Sequence, residues 1–259
     1  GACSPDRHYM VNLAPKLEKT KKMVDAGDYF TINKARQYGK TTMLRALAVH
    51  LKDDYNVLSL DFQRMSHSDF ASEASFVNGL AREICKRLPL IGYIPDKIRE
   101  YFIRFADKAN TDIRMADIFD CFSEWCGQSD KPLVLIIDEV DTAADNQAFL
   151  DFLAQLRAAY LDRDLIPTFH SVILASVYDI RNMKRKVRPD EMHRQNSPWN
   201  IAALFKVELS FSVQEIAGML ADYETDYATG MDIAEMASLI YEYTAGYPFL
   251  VSKLCKLMD

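Results

Sequence analysis

Apolar residues change their spacing along this chain, and the changes mark its elements. Residues 11–26 carry Leu13, Leu17, Met23 and Val24 at helical intervals up to a stop at Gly27. A short strand is predicted at 29–32. It is followed by a helix over 41–51 with Met43, Leu44, Leu47, Ala48 and Leu51 on one face. A second strand over 55–62 is apolar at Val57, Leu58 and Leu60. Helical patterns then cover 70–87, 97–105 and 115–125. Residues 133–137 form an unbroken apolar run, the mark of a central parallel strand covered on both faces. A helix over 147–161, a strand over 171–177 and a fifth strand over 202–209 complete the series. Beyond Phe211 the pattern is helical only, with Ser212 placed to cap the first of these helices.

Strands alternating with helices, then helices alone, predict an α/β fold: a three-layer sandwich around a parallel sheet, with a small C-terminal helical lid. The predicted division is an irregular arm at 1–10, a core at 11–210 and a lid at 211–259. The chain starts at Gly1 and ends inside a helical pattern, which reads as a trimmed piece of a longer protein.

Composition narrows the class. Among 259 residues, 49% are hydrophobic and 26% charged, so a packed core is expected rather than disorder. No apolar run nears the ~20 residues that span a bilayer, and no signal peptide is visible. The 31 basic and 37 acidic side chains leave a net charge of -6, which argues against a generally basic surface for nucleic acid. Five scattered cysteines do not make a disulfide framework. Cys121 and Cys126 lack a second Cys or His pair nearby, so reduced thiols in a cytoplasmic protein are expected.

The candidate chemistry begins at Asn33-Lys34-Ala35-Arg36-Gln37-Tyr38-Gly39-Lys40-Thr41-Thr42, between a predicted strand and a predicted helix. A phosphate-binding loop needs that context. Gly39 lets the backbone approach a phosphate closely, Lys40 reaches the β- and γ-phosphates, and the Thr41 hydroxyl suits Mg²⁺. Thr42 is in reach of the α-phosphate, and the helix N-terminus favours an anion. Lys34 stands where the G-x-x-x-x-G-K-[ST] pattern has its first glycine. A side chain there requires a backbone that avoids φ > 0 at that residue.

A second signal lies in Leu133-Val-Leu-Ile-Ile-Asp138-Glu139-Val-Asp141, an apolar strand ending in carboxylates. Parallel sheets place ligands at the carboxyl ends of their strands. There Asp138 would hold Mg²⁺, and Glu139 would orient and deprotonate a water. Asp141 reads either as a supporting carboxylate or, preferably, as a helix N-cap.

With these residues in view, the chain resembles the bacterial AAA-ATPase-like proteins, on the AAA+/STAND side of the P-loop ATPases and related to the archaeal ATPase family. That family carries a loop N-[RK]-x-R-x-[FY]-G-K-T, matched by Asn33, Lys34, Arg36, Tyr38, Gly39, Lys40 and Thr41. The resemblance makes Lys34 a family feature and implies an ATPase using ATP and Mg²⁺. It maps the acidic pair onto Asp138 and Glu139 and a small polar sensor onto Ser176. The lid turn T-x-G-x-P falls on Thr244, Gly246 and Pro248, which places Pro248 beside the nucleotide. In relatives, residues just before the first helix often cover the adenine, a place held here by His8 and Tyr9, which read at least as well as arm residues packed on the core. Many relatives continue into an effector domain.

Other features carry weaker readings. Arg36 suits phosphate, a neighbouring subunit, or a plain ion pair. Residues 178–200 hold Arg181, Lys184, Arg185, Lys186, Arg188 and Arg194 against Asp179, Asp190 and Glu191, a basic excess of three. Such a stretch could meet nucleic acid or polyphosphate, but with one Trp it lacks a stacking series and reads first as a solvated loop. One of its arginines could act on the γ-phosphate. Three functions follow in order: ATP hydrolysis coupled to a core–lid change, a slow ATP-dependent switch for an effector domain, and DNA handling. A homo-oligomer or an effector protein is the expected partner, and no membrane.

Overall fold

A computed structural model describes residue 3 and residues 7–143, 145–178 and 199–258. The basic residues between Arg181 and Arg194 lie outside the described residues. The strands are β1 (Tyr29–Asn33), β2 (Asn56–Asp61), β3 (Leu133–Asp138), β4 (Ser171–Ser176) and β5 (Ala203–Leu204). The helices are α1 (Ala14–Asp25), α2 (Lys40–Leu51), α3 (Glu73–Arg87), α4 (Asp96–Phe105), α5 (Met115–Gln128), α6 (Gln147–Leu161), α7 (Val213–Tyr227), α8 (Ile233–Thr244) and α9 (Pro248–Met258). The chain divides into two compact units. One comprises Gly1–Lys22, Lys34–Val49 and Lys206–Asp259; the other comprises Met23–Asn33 and His50–Phe205.

The second unit holds the sheet. Its strands run in the order β2-β3-β4-β1-β5, and all the pairings are parallel. Period-two alternation divides β3 and β4 between the faces. Leu133, Leu135, Ile137, Val172 and Leu174 join one large core with Phe62, Phe76, Phe102, Trp125, Phe149 and Phe152. Val134, Ile136, Ile173 and Ala175 point the other way and are equally buried. Both faces are therefore covered, which explains why β3 reads as an unbroken apolar run. The edge strand β2 instead alternates buried with half-buried positions. Helices surround this parallel sheet, as expected for an α/β fold.

β5 is shorter than the sequence pattern predicts. The expected strand at 202–209 pairs only through Ala203 and Leu204. The Glu208 carboxylate accepts the backbone N–H groups of Leu209 and Ser210 at 2.9 and 3.0 Å, so a side chain satisfies these amides in place of a neighbouring strand. Alternating Phe205, Val207 and Leu209 therefore mimicked a longer strand.

The first unit is built around the C-terminal helices. Ser212 and Glu215 form a reciprocal capping box at the start of α7, as the sequence predicts for Ser212. The Asp232 side chain caps α8 through the Glu235 N–H. Ile216, Met219, Leu220, Ala237, Ile240 and Val251 share a small core with Val11. Lys16 of α1 donates to the Ser210 carbonyl at 2.9 Å and pairs with Glu215 at 3.0 Å. These contacts explain why the first turns of α1 group with a segment almost 200 residues downstream.

The turn from α8 to α9 has no slack. Ala245 and Gly246 both adopt positive φ, 47° and 71°. The Gly246 carbonyl accepts the Phe211 N–H at 2.8 Å. A Cβ added at Gly246 would lie 1.9 Å from the Phe211 carbonyl oxygen. Gly246→Ala is expected to destabilise this unit by about 2 to 6 kcal/mol, combining left-handed strain with a backbone clash. Gly39→Ala meets nothing within 4 Å and adds only the strain of its φ of 76°. Thermal melts of the two variants check this, and equal losses would remove the role assigned to the Phe211 contact.

Candidate functional site

In the first unit, the segment between β1 and α2 folds as a tight loop around a lysine. Lys34 needs no positive φ, so its side chain is tolerated where the common pattern has glycine; Gln37 and Gly39 take the left-handed conformation instead, at 64° and 76°. The Lys40 side chain is buried, with 6% of the residue exposed. Its ammonium donates to the Lys34 and Ala35 carbonyls at 2.7 and 3.1 Å, folding the loop around the cation. The Met43 N–H bonds to the Gly39 carbonyl, so helix begins directly behind the glycine and places Thr41 and Thr42 in its first turn. The Thr42 hydroxyl accepts the Cys3 N–H at 3.2 Å, which brings the N-terminal arm to this turn.

Lys34 pairs with Glu208 at 3.0 Å. Partial burial pushes the Glu208 carboxyl up, but the Ser210 N–H and the Lys34 ammonium pull harder and lower it to about 2. The Glu208 carboxylate therefore remains ionised well below neutral pH. Ala35, Arg36 and Gln37 are exposed at the loop tip. The Tyr247 hydroxyl donates to the Arg36 carbonyl at 2.7 Å, and the Tyr247 and Tyr38 rings lie 4.7 Å apart. Tyr247 stands between Gly246 and Pro248, the first residue of α9, so the rigid turn touches the loop directly. Sequence reading selected the glycine and proline of this turn and passed over the tyrosine between them.

Tyr9 lies against α7. Its hydroxyl donates to Asp226 at 2.5 Å, and its ring meets Tyr223 edge-on at 5.4 Å. The hydrogen bond to Asp226 pushes the Tyr9 hydroxyl above its ordinary range.

The sheet unit carries the acidic residues. Asn33 and Ser176 end β1 and β4 in register, and Asp61 and Asp138 end β2 and β3 in register. Asp138 is buried, and its Oδ1 accepts the Glu139 N–H at 2.9 Å. Glu139 itself has a φ of 56°, a conformation that costs a non-glycine residue about 1–3 kcal/mol. Such strain gathers where function requires a fixed geometry. The Asp61 carboxylate is engaged by the Gln63 N–H and by Arg64, and so takes a local structural role. Ser176 is fully buried, with its hydroxyl 2.6 Å from Asn33 Oδ1 and 2.5 Å from the Tyr178 carbonyl.

Asp141 departs from the reading as a helix cap. It lies in a 3-10 turn, Val140–Ala143, and Asn146 takes the cap position of α6. The Asp141 carboxylate instead accepts the N–H groups of Val177 and Tyr178, at 2.6 and 3.2 Å. Nothing in the local sequence marks this contact, because its partners lie 36 and 37 residues away.

The sequence matches the AAA-like domain family over residues 5–258. Among solved structures the fold is similar to the Walker-type ATPase Paby2304 of Pyrococcus abyssi, with a TM-score of 0.60 and 13% identity over 93% of this chain and 66% of that one. It is also similar to the ORC2 protein of Aeropyrum pernix in its ADP form, with a TM-score of 0.55 and 12% identity over 92% of this chain and 58% of that one. The chain thus spans about two thirds of the first and under three fifths of the second. No curated protein matches it. At such identities the likeness carries the fold alone, while the family match covers nearly the whole sequence. The parallel sheet agrees with that match, and the chain belongs to the AAA-like domain family.

Proposed function

We propose that this chain binds ATP with Mg²⁺ and hydrolyses it at the β–γ phosphoanhydride. The observation that carries the reading is the loop at Lys34–Lys40: a buried ammonium held by two backbone carbonyls, a left-handed glycine with open space beside it, and a helix starting behind it. Phosphate oxygens can replace those carbonyls as acceptors for Lys40. Thr42 takes the α-phosphate. Arg36 and the backbone of Ala35, Gln37 and Tyr38 line the loop, and Tyr9 and Pro248 border the nucleotide.

The donor set fits a hard divalent cation: the Asp138 carboxylate and the Thr41 hydroxyl are oxygen ligands of the type Mg²⁺ takes. The bound ion would neutralise charge on the β- and γ-phosphates. Glu139 accepts a proton from the attacking water, while Ser176, whose buried hydroxyl is engaged with Asn33 and the Tyr178 carbonyl, fixes the end of β4 in place of the direct sensor contact expected from the sequence. The five free thiols fit the cytoplasm, and among the described residues no helix is long and apolar enough to cross a membrane.

Turnover of ATP by the intact chain, with and without Mg²⁺ and with and without DNA, tests the reading. Mg²⁺-dependent hydrolysis that DNA leaves unchanged is expected. Tight binding without turnover would replace it with a switch that gates an effector domain or partner. Stimulation by DNA would favour the nucleic-acid function of the 181–194 stretch.

The Tyr247–Arg36 contact supports coupling between nucleotide and the C-terminal helices. Phosphate entering the loop alters the backbone that Tyr247 holds, and Gly246 transmits any displacement to Phe211. ATP with Mg²⁺ is expected to slow amide exchange across residues 211–257 as well as around Gly39. Protection confined to the loop would show that these helices do not respond.

A further inference from the structure

We propose that Asp141 is a positioning residue for hydrolysis, which clamps the backbone after Ser176 to the turn carrying Glu139; the proposal rests on the ATPase reading above. Asp141 Oδ2 takes the Val177 N–H and Oδ1 takes the Tyr178 N–H, so each carboxylate oxygen holds one amide. Tyr178 is held at its other end too, because its carbonyl lies 2.5 Å from the Ser176 hydroxyl. That hydroxyl is also 2.6 Å from Asn33, the last residue of β1 before the phosphate loop. On the near side, the Glu139 carbonyl accepts both the N–H and the hydroxyl of Thr142, at 3.2 and 2.9 Å, which closes the tight turn containing Asp141. A continuous chain of contacts thus runs from Glu139 through Asp141, Tyr178 and Ser176 to Asn33.

This arrangement separates Asp141 from the base. Its two oxygens already serve as acceptors for fixed amides, whereas Glu139 stands on a strained backbone that its neighbours hold in place. Loss of the clamp leaves the nucleotide-binding groups intact but frees the Glu139 turn and the Ser176 segment to drift. Misplacement of about 1 Å in a catalytic group costs roughly 100-fold in rate.

The test measures kcat and ATP affinity in the full chain for wild type, Asp141→Ala, Asp141→Asn and Ser176→Ala, with a melting curve for each. Asp141→Ala is expected to lower kcat about 10- to 100-fold while the ATP Kd stays within about twofold. Asp141→Asn keeps one acceptor oxygen and is expected to fall between. It also keeps the test decisive if the alanine variant does not fold. The double variant Asp141→Ala with Ser176→Ala is expected to be no slower than the worse single variant, because both break one chain of contacts. An unchanged kcat in Asp141→Asn, or equal losses in kcat and affinity, overturns the proposal. Wild-type chain that binds ATP without hydrolysing it overturns the ATPase reading first and this role with it.

Discussion

Lys40→Ala is expected to weaken ATP binding at least 100-fold, about 3 kcal/mol or more, with the fold retained. Lys40 supplies a cation that the loop itself surrounds, with the Lys34 and Ala35 carbonyls at 2.7 and 3.1 Å. A buried ammonium donates to whatever acceptor fills that space, and phosphate is a stronger acceptor than an amide carbonyl. Lys34 cannot substitute, since its ammonium is committed to Glu208 at 3.0 Å. Alanine is the best helix former and Lys40 is the first residue of α2, so the helix should survive. Calorimetric titration with ATP and Mg²⁺ gives the affinity, and circular dichroism checks folding. A folded variant with wild-type affinity would remove the phosphate loop from the site.

What was legible in the sequence follows from how local each signal is. β3 was visible because a strand covered on both faces has no polar position to break its run, and its end at Asp138 marked the acidic pair. Ser212 was visible because a capping box is written within four residues. The register of Asn33 with Ser176, and of Asp61 with Asp138, depends on which strands become neighbours, and no local spacing states that. The two amides held by Asp141 were hidden for the same reason. Glu208 misled in the opposite direction: its side chain captured amides that alternating apolar neighbours had assigned to a sheet. The linear division at residue 210 has a similar origin. Apolar pattern places a boundary where strands give way to helices, yet Val11, Lys16 and the loop group with the C-terminal helices through contacts made only on folding.

Glu139→Gln is expected to separate binding from chemistry, with hydrolysis falling about 100-fold or more and ATP affinity nearly unchanged. A 100-fold loss corresponds to about 2.7 kcal/mol of barrier, within the range a positioned base supplies. Glutamine has the shape of glutamate and can still orient a water, but its amide cannot take the proton. The backbone should not move, because neighbouring groups hold the N–H and the carbonyl of residue 139 itself. Its N–H goes to Asp138 Oδ1 at 2.9 Å, and its carbonyl receives the Thr142 N–H and hydroxyl. The φ of 56° is therefore imposed by neighbours that the substitution leaves alone. Lys40→Ala strikes binding and Glu139→Gln strikes the step after it, so a single-turnover measurement at saturating ATP distinguishes the two variants. Hydrolysis by Glu139→Gln at the wild-type rate would move the base elsewhere. Asp141, the next acidic residue along the turn, would be a poor replacement, since both its oxygens already hold the amides of Val177 and Tyr178.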